Sequence, residues 1–173
     1  MGPPTTLPAS LSVRDARDRY LADNGFSTSS YTAPTFEVDV LGRTWTLKNR
    51  PVRQRAVPLH DLHHVATGYG TDLVGEAEIG AWEIGAGCTN LFLYWINGAA
   101  ALLGLFLAPA RVWRAFRAGV RQRTLYVAGA PYDDLLALDV GALRQRLALP
   151  SGGAADRPAR RHRRAPHPVY NEG

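Results

Sequence analysis

Eighteen consecutive residues, 91 to 108 (LFLYWINGAAALLGLFLA), are apolar apart from Asn97. A run like this has to leave water somewhere. Its length is close to the minimum of about 17 residues for a membrane span, and it equally suits a helix buried on all sides. Asn97 in the middle and the small run Gly98-Ala99-Ala100-Ala101 favour close packing, or the wall of a tunnel for an apolar substrate. The helix is therefore expected to be buried or to line a groove. Pro109 marks its break.

Around this run the pattern is helical from Pro58 onward, giving a mainly α fold class with a small N-terminal β-hairpin. At 173 residues the chain is long enough for one well-buried core and short for two. A single compact helical domain is expected over 13–150. SVRDARDRYLADNG reads as a first helix, with Ser12 as its cap, Asp15 three residues on and Asn24-Gly25 as its stop. TFEVDVLGRTWTLKN alternates apolar and polar residues, which predicts a hairpin at about 35–48, as an appendage or lid. Helices are then predicted over about 58–68, ending at Gly68, and from Thr71 or Asp72 towards Gly85 or Gly87. The apolar helix follows. Next come a basic amphipathic helix, ARVWRAFRAGVRQRTL, and a short closing helix in DDLLALDVGALRQRLAL. Residues 1–12, rich in Pro, Ser and Thr, and the tail 151–173, with no apolar period, are expected to be flexible and disordered respectively.

The single cysteine, Cys88, excludes an internal disulfide and any cysteine-rich zinc module. The net charge of +5 is uneven: the tail 151–173 holds five Arg against one Asp and one Glu, leaving +2 for the rest. That tail would attract phosphates non-specifically. It has no aromatic platform, so nucleic acid is not an expected partner. His162 and His167 within it read as solvated. MGPPTTLPASLS has neither a basic n-region nor an apolar run, so the expected location is cytoplasmic. Arg111, Arg114, Arg117, Arg121 and Arg123 alternate with Val112, Trp113, Phe116 and Val120. Such a helix can rest on an anionic membrane surface or simply present a solvated face.

The chemistry lies in PLHDLHHVATGYGTDLVGE, residues 58–76. His60 and His64 are one helical turn apart and project from one face, so two imidazoles can converge on a cation. At about 100° per residue, with His60 at zero, His64 lies near 40°, Asp61 near 100° and His63 near −60°. Asp61 is thus placed to ligate as well, or to orient an imidazole from behind. Glu76 belongs to the next helix. With a short turn at Gly68–Gly70 the two helices can pack antiparallel, and Glu76 then faces His64. Gly75 and Gly80 beside it would allow the backbones to approach closely. The arrangement is not that of a zinc peptidase, because no Glu follows the first His.

His60-Asp61-x-x-His64, eleven residues and then Glu76 resembles the H-D-x-x-H-x11-E signature of the coenzyme Q biosynthesis protein 4 family. His64-Val65, Gly68, Leu73 and Gly75-Glu76 sit where that family has its equivalents. RAGVRQRTL and YDDLLALDVGALRQRLAL resemble its later segments, so the likeness covers about residues 53–150. The resemblance implies an all-α fold and a divalent metal, zinc, held by His60, Asp61, His64 and Glu76, which are also the implied catalytic residues. It implies a hydrophobic aromatic or polyprenyl partner and oxidative decarboxylation of a quinone precursor, carboxylate to hydroxyl. It further implies association with the inner face of a membrane and with a biosynthetic complex or homodimer. Related expectations are a tailoring enzyme or cyclase of secondary metabolism, and a non-catalytic lipid-binding scaffold. His63 occupies an x position of the signature and is expected behind the ligands or on the surface.

Overall fold

α4 (Leu73–Ala86) is the helix that the other long helices are built around. Its composition explains why: Ala77, Ile79, Gly80, Ala81 and Trp82 are buried, so it is apolar on more than one side. It packs most extensively on α5 (Leu91–Leu107) and α6 (Pro109–Gly119). Backbone-close contacts set both crossings. A Cβ added to Gly119 would lie 2.2 Å from the Trp82 carbonyl oxygen, and one added to Gly85 would lie 2.5 Å from that of Phe116. The two glycines therefore let α4 and α6 touch through their main chains, with Trp82 fully buried beside them.

The structure is a computed structural model and describes residues 7–40 and 43–155. It is mainly α: 62% is helical, with one two-stranded hairpin among the described residues. α1 (Val13–Asp23) is capped by Ser12, whose hydroxyl accepts from the Asp15 N–H, as its sequence predicts. A single turn, α2 (Ser29–Thr32), leads into β1 (Thr35–Val40) and β2 (Arg43–Lys48), paired antiparallel from Thr35↔Lys48 to Val40↔Arg43. Trp45 and Leu47 on β2 are exposed, so the hairpin projects from the body. α3 (Pro51–Thr67) carries the histidines. α7 (Leu125–Ala128), α8 (Tyr132–Leu136) and α9 (Val140–Arg146) close the fold. The main apolar cluster joins α3, α4, α6 and these last helices through Leu62, Ile79, Trp82, Val112, Leu125, Leu135 and Leu143.

Several boundaries differ from expectation for identifiable reasons. α3 starts at Pro51, not Pro58: proline suits the first helical position, and Pro58 is carried inside the helix. The closing helix is two, because the Asp139 carboxylate accepts from the Ala142 N–H at 2.6 Å and starts α9 afresh. α6 ends at Gly119, so Arg121 and Arg123 lie beyond it. α4 and α3 do not pack side by side along their length. Gly75 abuts the carbonyl of Gly70 and Gly80 abuts the backbone of Asn97, so those glycines serve the connecting turn and α5.

The apolar helix shows the largest departure. Only Leu93, Asn97 and Gly104 of α5 are buried. Leu91 is 84% exposed, Trp95 70% and Phe106 82%. α5 lies on the surface and turns its bulkiest side chains outward. Among the described residues no helix is long and apolar enough to cross a membrane.

Both chain ends, where described, are tied to the body. The carbonyls of Leu11 and Ala9 accept from the Val140 and Gly141 N–H groups, and the N–H groups of Ala154 and Ala155 donate to the Thr67 carbonyl. Buried Arg144 donates to the carbonyls of Ala66, Leu7 and Ser151. Residues 1–6 and 156–173, with His162 and His167, lie outside the described residues.

Gly119→Ala tests the α4–α6 contact. It should destabilise the protein by about 1–3 kcal/mol through overpacking against the Trp82 carbonyl, read as a lower midpoint in urea unfolding.

Candidate metal centre

On α3, His60, His63 and His64 all face α4, and on α4 two glutamates answer them. Glu76 and Glu83 are seven residues apart, so they share one face of the helix. His60 Nε2 and His64 Nε2 are 3.1 Å apart. The Glu76 carboxylate meets them, with Oε2 3.5 Å from His60 Nε2 and Oε1 3.4 Å from His64 Nε2. Asp72 places Glu76: its carboxylate caps α4 by accepting from the Gly75 N–H at 2.7 Å.

The far side of each ring is committed. His64 Nδ1 lies 3.1 Å from the Tyr69 carbonyl oxygen. A carbonyl only accepts, so His64 carries its proton on Nδ1. His60 Nδ1 lies 2.8 Å from Glu83 Oε1, and that carboxylate is held ionised: burial raises its pKa, but the His60 and His63 imidazoles outweigh burial and leave it well below the usual range. Neutral His60 therefore also donates from Nδ1. When His60 gives up its second proton, which Glu83 and Glu76 otherwise help it to keep, two imidazole lone pairs and a carboxylate converge with no donor between them.

That donor set fits a divalent cation. A tetrahedral zinc with bonds of about 2.0–2.1 Å spaces its ligands roughly 3.3 Å apart, and the three contacts here are 3.1, 3.4 and 3.5 Å. His60, His64 and Glu76 form the one such group found among the described residues. Three protein ligands leave a fourth position open, the pattern of catalytic zinc sites. Glu76 is 40% exposed, so the open side faces solvent. Backing of each imidazole by a carboxylate or carbonyl is the usual means of fixing a metal-binding histidine.

Glu83 is the residue that sequence reading missed. It is fully buried and accepts from four groups: His60 Nδ1, His63 Nδ1 at 2.6 Å, the Tyr126 hydroxyl at 3.0 Å and the Asn97 amide at 2.6 Å. The signal was present as a second glutamate seven residues after Glu76. His63 is also fully buried, not on the surface, and its Nε2 accepts from the Leu125 N–H at 2.8 Å. Asn97, the polar interruption of the apolar run, thus has its reason.

Asp61 stands apart from the other three. Its Oδ2 accepts from the Tyr31 hydroxyl at 2.6 Å, and the Tyr20 hydroxyl lies near enough to feel its charge. It is not among the residues whose ligand atoms lie within 4.8 Å of one another. Nor does it orient an imidazole, since both Nδ1 atoms have other partners. Tyr20 in turn stacks on His64, with ring centroids 5.4 Å apart. Burial and the nearby carboxylates push the Tyr20 hydroxyl far above its ordinary pKa, so it remains a donor.

No protein-family model, curated protein or solved structure matches this chain.

The titrating groups define a pH profile for the metal-free protein. Burial lowers the pKa of His63 below 6.5, so its contribution to stability falls as pH drops below about 6.5. Glu83, lowered from 4.5, adds a further loss below that value. For His60, burial opposes the charge, but Glu83 and Glu76 outweigh it and raise the pKa well above 6.5. Its contribution is complete below 6.5 and is lost as pH rises. Metal-free protein should therefore be most stable near pH 6.5. Added zinc should remove the alkaline decline, because the ion takes deprotonated imidazoles. Thermal unfolding from pH 4 to 9, with and without zinc, checks both limbs.

Proposed function

We propose that this protein is a zinc-dependent enzyme acting on an apolar aromatic acid, a relative of the coenzyme Q biosynthesis protein 4 family. One observation carries the reading. Two imidazoles with their Nδ1 protons committed elsewhere turn their lone pairs towards each other and towards a carboxylate, on the solvent side of a buried polar network. A bound divalent ion supplies Lewis acidity there and stabilises negative charge developing on the substrate.

The residues around the ion have separate tasks. Glu83 and the Tyr69 carbonyl fix the two rings. Glu76, partly exposed, is free to shift as a ligand enters. Tyr20 covers one face of His64 and limits water. In the implied reaction the ring–carboxylate bond breaks and carbon dioxide leaves. A water oxygen bonds to the ring carbon, and the two electrons pass to dioxygen, which leaves as hydrogen peroxide. One proton is taken up overall, and the ring keeps the hydroxyl.

Metal analysis tests the site. Wild-type protein should hold one zinc per chain, and His60→Ala and Glu76→Ala should each lose it. Glu83→Gln should keep it with about 10–100-fold weaker affinity, measured against a competing chelator. Full occupancy in both alanine variants would refute the site.

The exposed side of α5 supports a peripheral place at the inner face of a membrane. Its outward Leu91, Trp95 and Phe106 are exposed, and on α6, the helix that follows it, Arg114 and Arg117 are exposed too. Exposed apolar side chains on one helix and exposed arginines on the next suit an anionic lipid surface. The protein should float with vesicles containing anionic phospholipid and not with purely zwitterionic ones, and Phe106→Ser should weaken flotation.

A further inference from the structure

Arg53 is a half-buried cation that the metal reading leaves without a task. It stands on the histidine face of α3: residues 53 and 60 are seven apart, about 20° on the helical wheel and two turns, roughly 10.5 Å, along the axis. Its guanidinium lies over the Phe36 ring at the foot of the hairpin, 3.6 Å from the ring centroid. Nη1 donates to Asn49 Oδ1 at 3.2 Å. Asn49 is itself fixed. Its amide nitrogen lies within hydrogen-bonding distance of three carbonyl oxygens, those of Ser30, Tyr31 and Ala33, which settles which end of the amide faces Arg53. The guanidinium is thus held in one orientation by a ring below it and an amide beside it.

Among the described residues no hydrogen bond reaches the other edge of the fork. Among the described residues no carboxylate pairs with Arg53. Asp61 is near enough for its charge to be felt, yet its carboxylate accepts from the Tyr31 hydroxyl. Burial lowers the Arg53 pKa, and the field of Asp61 only partly opposes this. The same chain shows what such an edge does when filled: Arg111 uses Nε and Nη2 to hold both oxygens of Glu78, at 2.9 and 2.6 Å.

We propose that Arg53 receives the carboxylate of a bound aromatic acid on its Nε–Nη2 edge, while the far end of the acid reaches towards His60, His64 and Glu76. This rests on the reading above that the ligand is such an acid. Arg53 then sets the distance between the acid group and the metal centre, and selects acids over neutral analogues. A planar bidentate fork suits a carboxylate better than a point charge does.

The probes are 4-hydroxybenzoate and its neutral isostere 4-hydroxybenzamide, titrated calorimetrically into zinc-loaded protein. Wild type should bind the acid at least about tenfold more tightly than the amide. Arg53→Gln should abolish that preference while leaving amide binding, zinc content and unfolding midpoint unchanged. Arg53→Lys should restore part of it. An unchanged preference in Arg53→Gln overturns the proposal, as does a wild type that binds neither probe or favours the amide. Should the glutamine variant unfold, the lysine variant decides alone, by a reduced or an unaltered preference. Repeating the titration on metal-free His60→Ala separates the two claims. An Arg53-dependent preference that survives there upholds the clamp whatever becomes of the metal site.

Discussion

A buried anion organises this protein. The Glu83 carboxylate has no exposure to water, and four donors from α3, α5 and the α7 turn close around it. A charge in such a place is costly unless hydrogen bonds replace its hydration. With all four in place it becomes a fixed point that sets the roll of α3 against α4, ties in Asn97 from the surface helix α5, and holds Tyr126. The apolar core around Trp82 and Leu62 supplies the bulk of the stability, but it does not fix which way the histidines turn. The Glu83 network does so for His60 and His63, and the Tyr69 carbonyl for His64.

The consequence for chemistry is one of proton placement. His63 is kept neutral between Glu83 and the Leu125 N–H and cannot ligate. His60 and His64 are each held by Nδ1, so their Nε2 atoms meet Glu76 as acceptors. Without a cation, a proton takes up that space. With one, the rings need no reorientation. A preorganised centre of this kind can bind an ion without first rearranging its ligands.

Much of this was legible from residues whose local chemistry leaves few choices. Ser12 and Asp72 cap helices because a short oxygen-bearing side chain can reach the free N–H groups, and both do so. The alternation from Phe36 to Leu47 is a strand pattern, and the strands pair as it predicts. His60, His64 and Glu76 come together because an i, i+4 pair and a glutamate early in the next helix reach the same level. The rest depended on tertiary context. Asp61 has the right angle on the helical wheel, but Tyr31 arrives from thirty residues away and takes its carboxylate. Glu83 has an informative spacing that only the position of α3 turns into a contact. The apolar run was expected inside, and instead most of α5 faces outward, since hydropathy reports a need to leave water and not which partner meets it.

The account depends most directly on where two protons sit, and long-range nitrogen–proton NMR of the histidine rings reads this. In zinc-loaded protein His60 and His64 should each show a proton on Nδ1 and a metal-shifted Nε2, while His63 shows an Nδ1 proton and an Nε2 that does not respond to zinc. A proton found on Nε2 of either His60 or His64 in the loaded protein, or a zinc response at His63 in place of one of them, would contradict it.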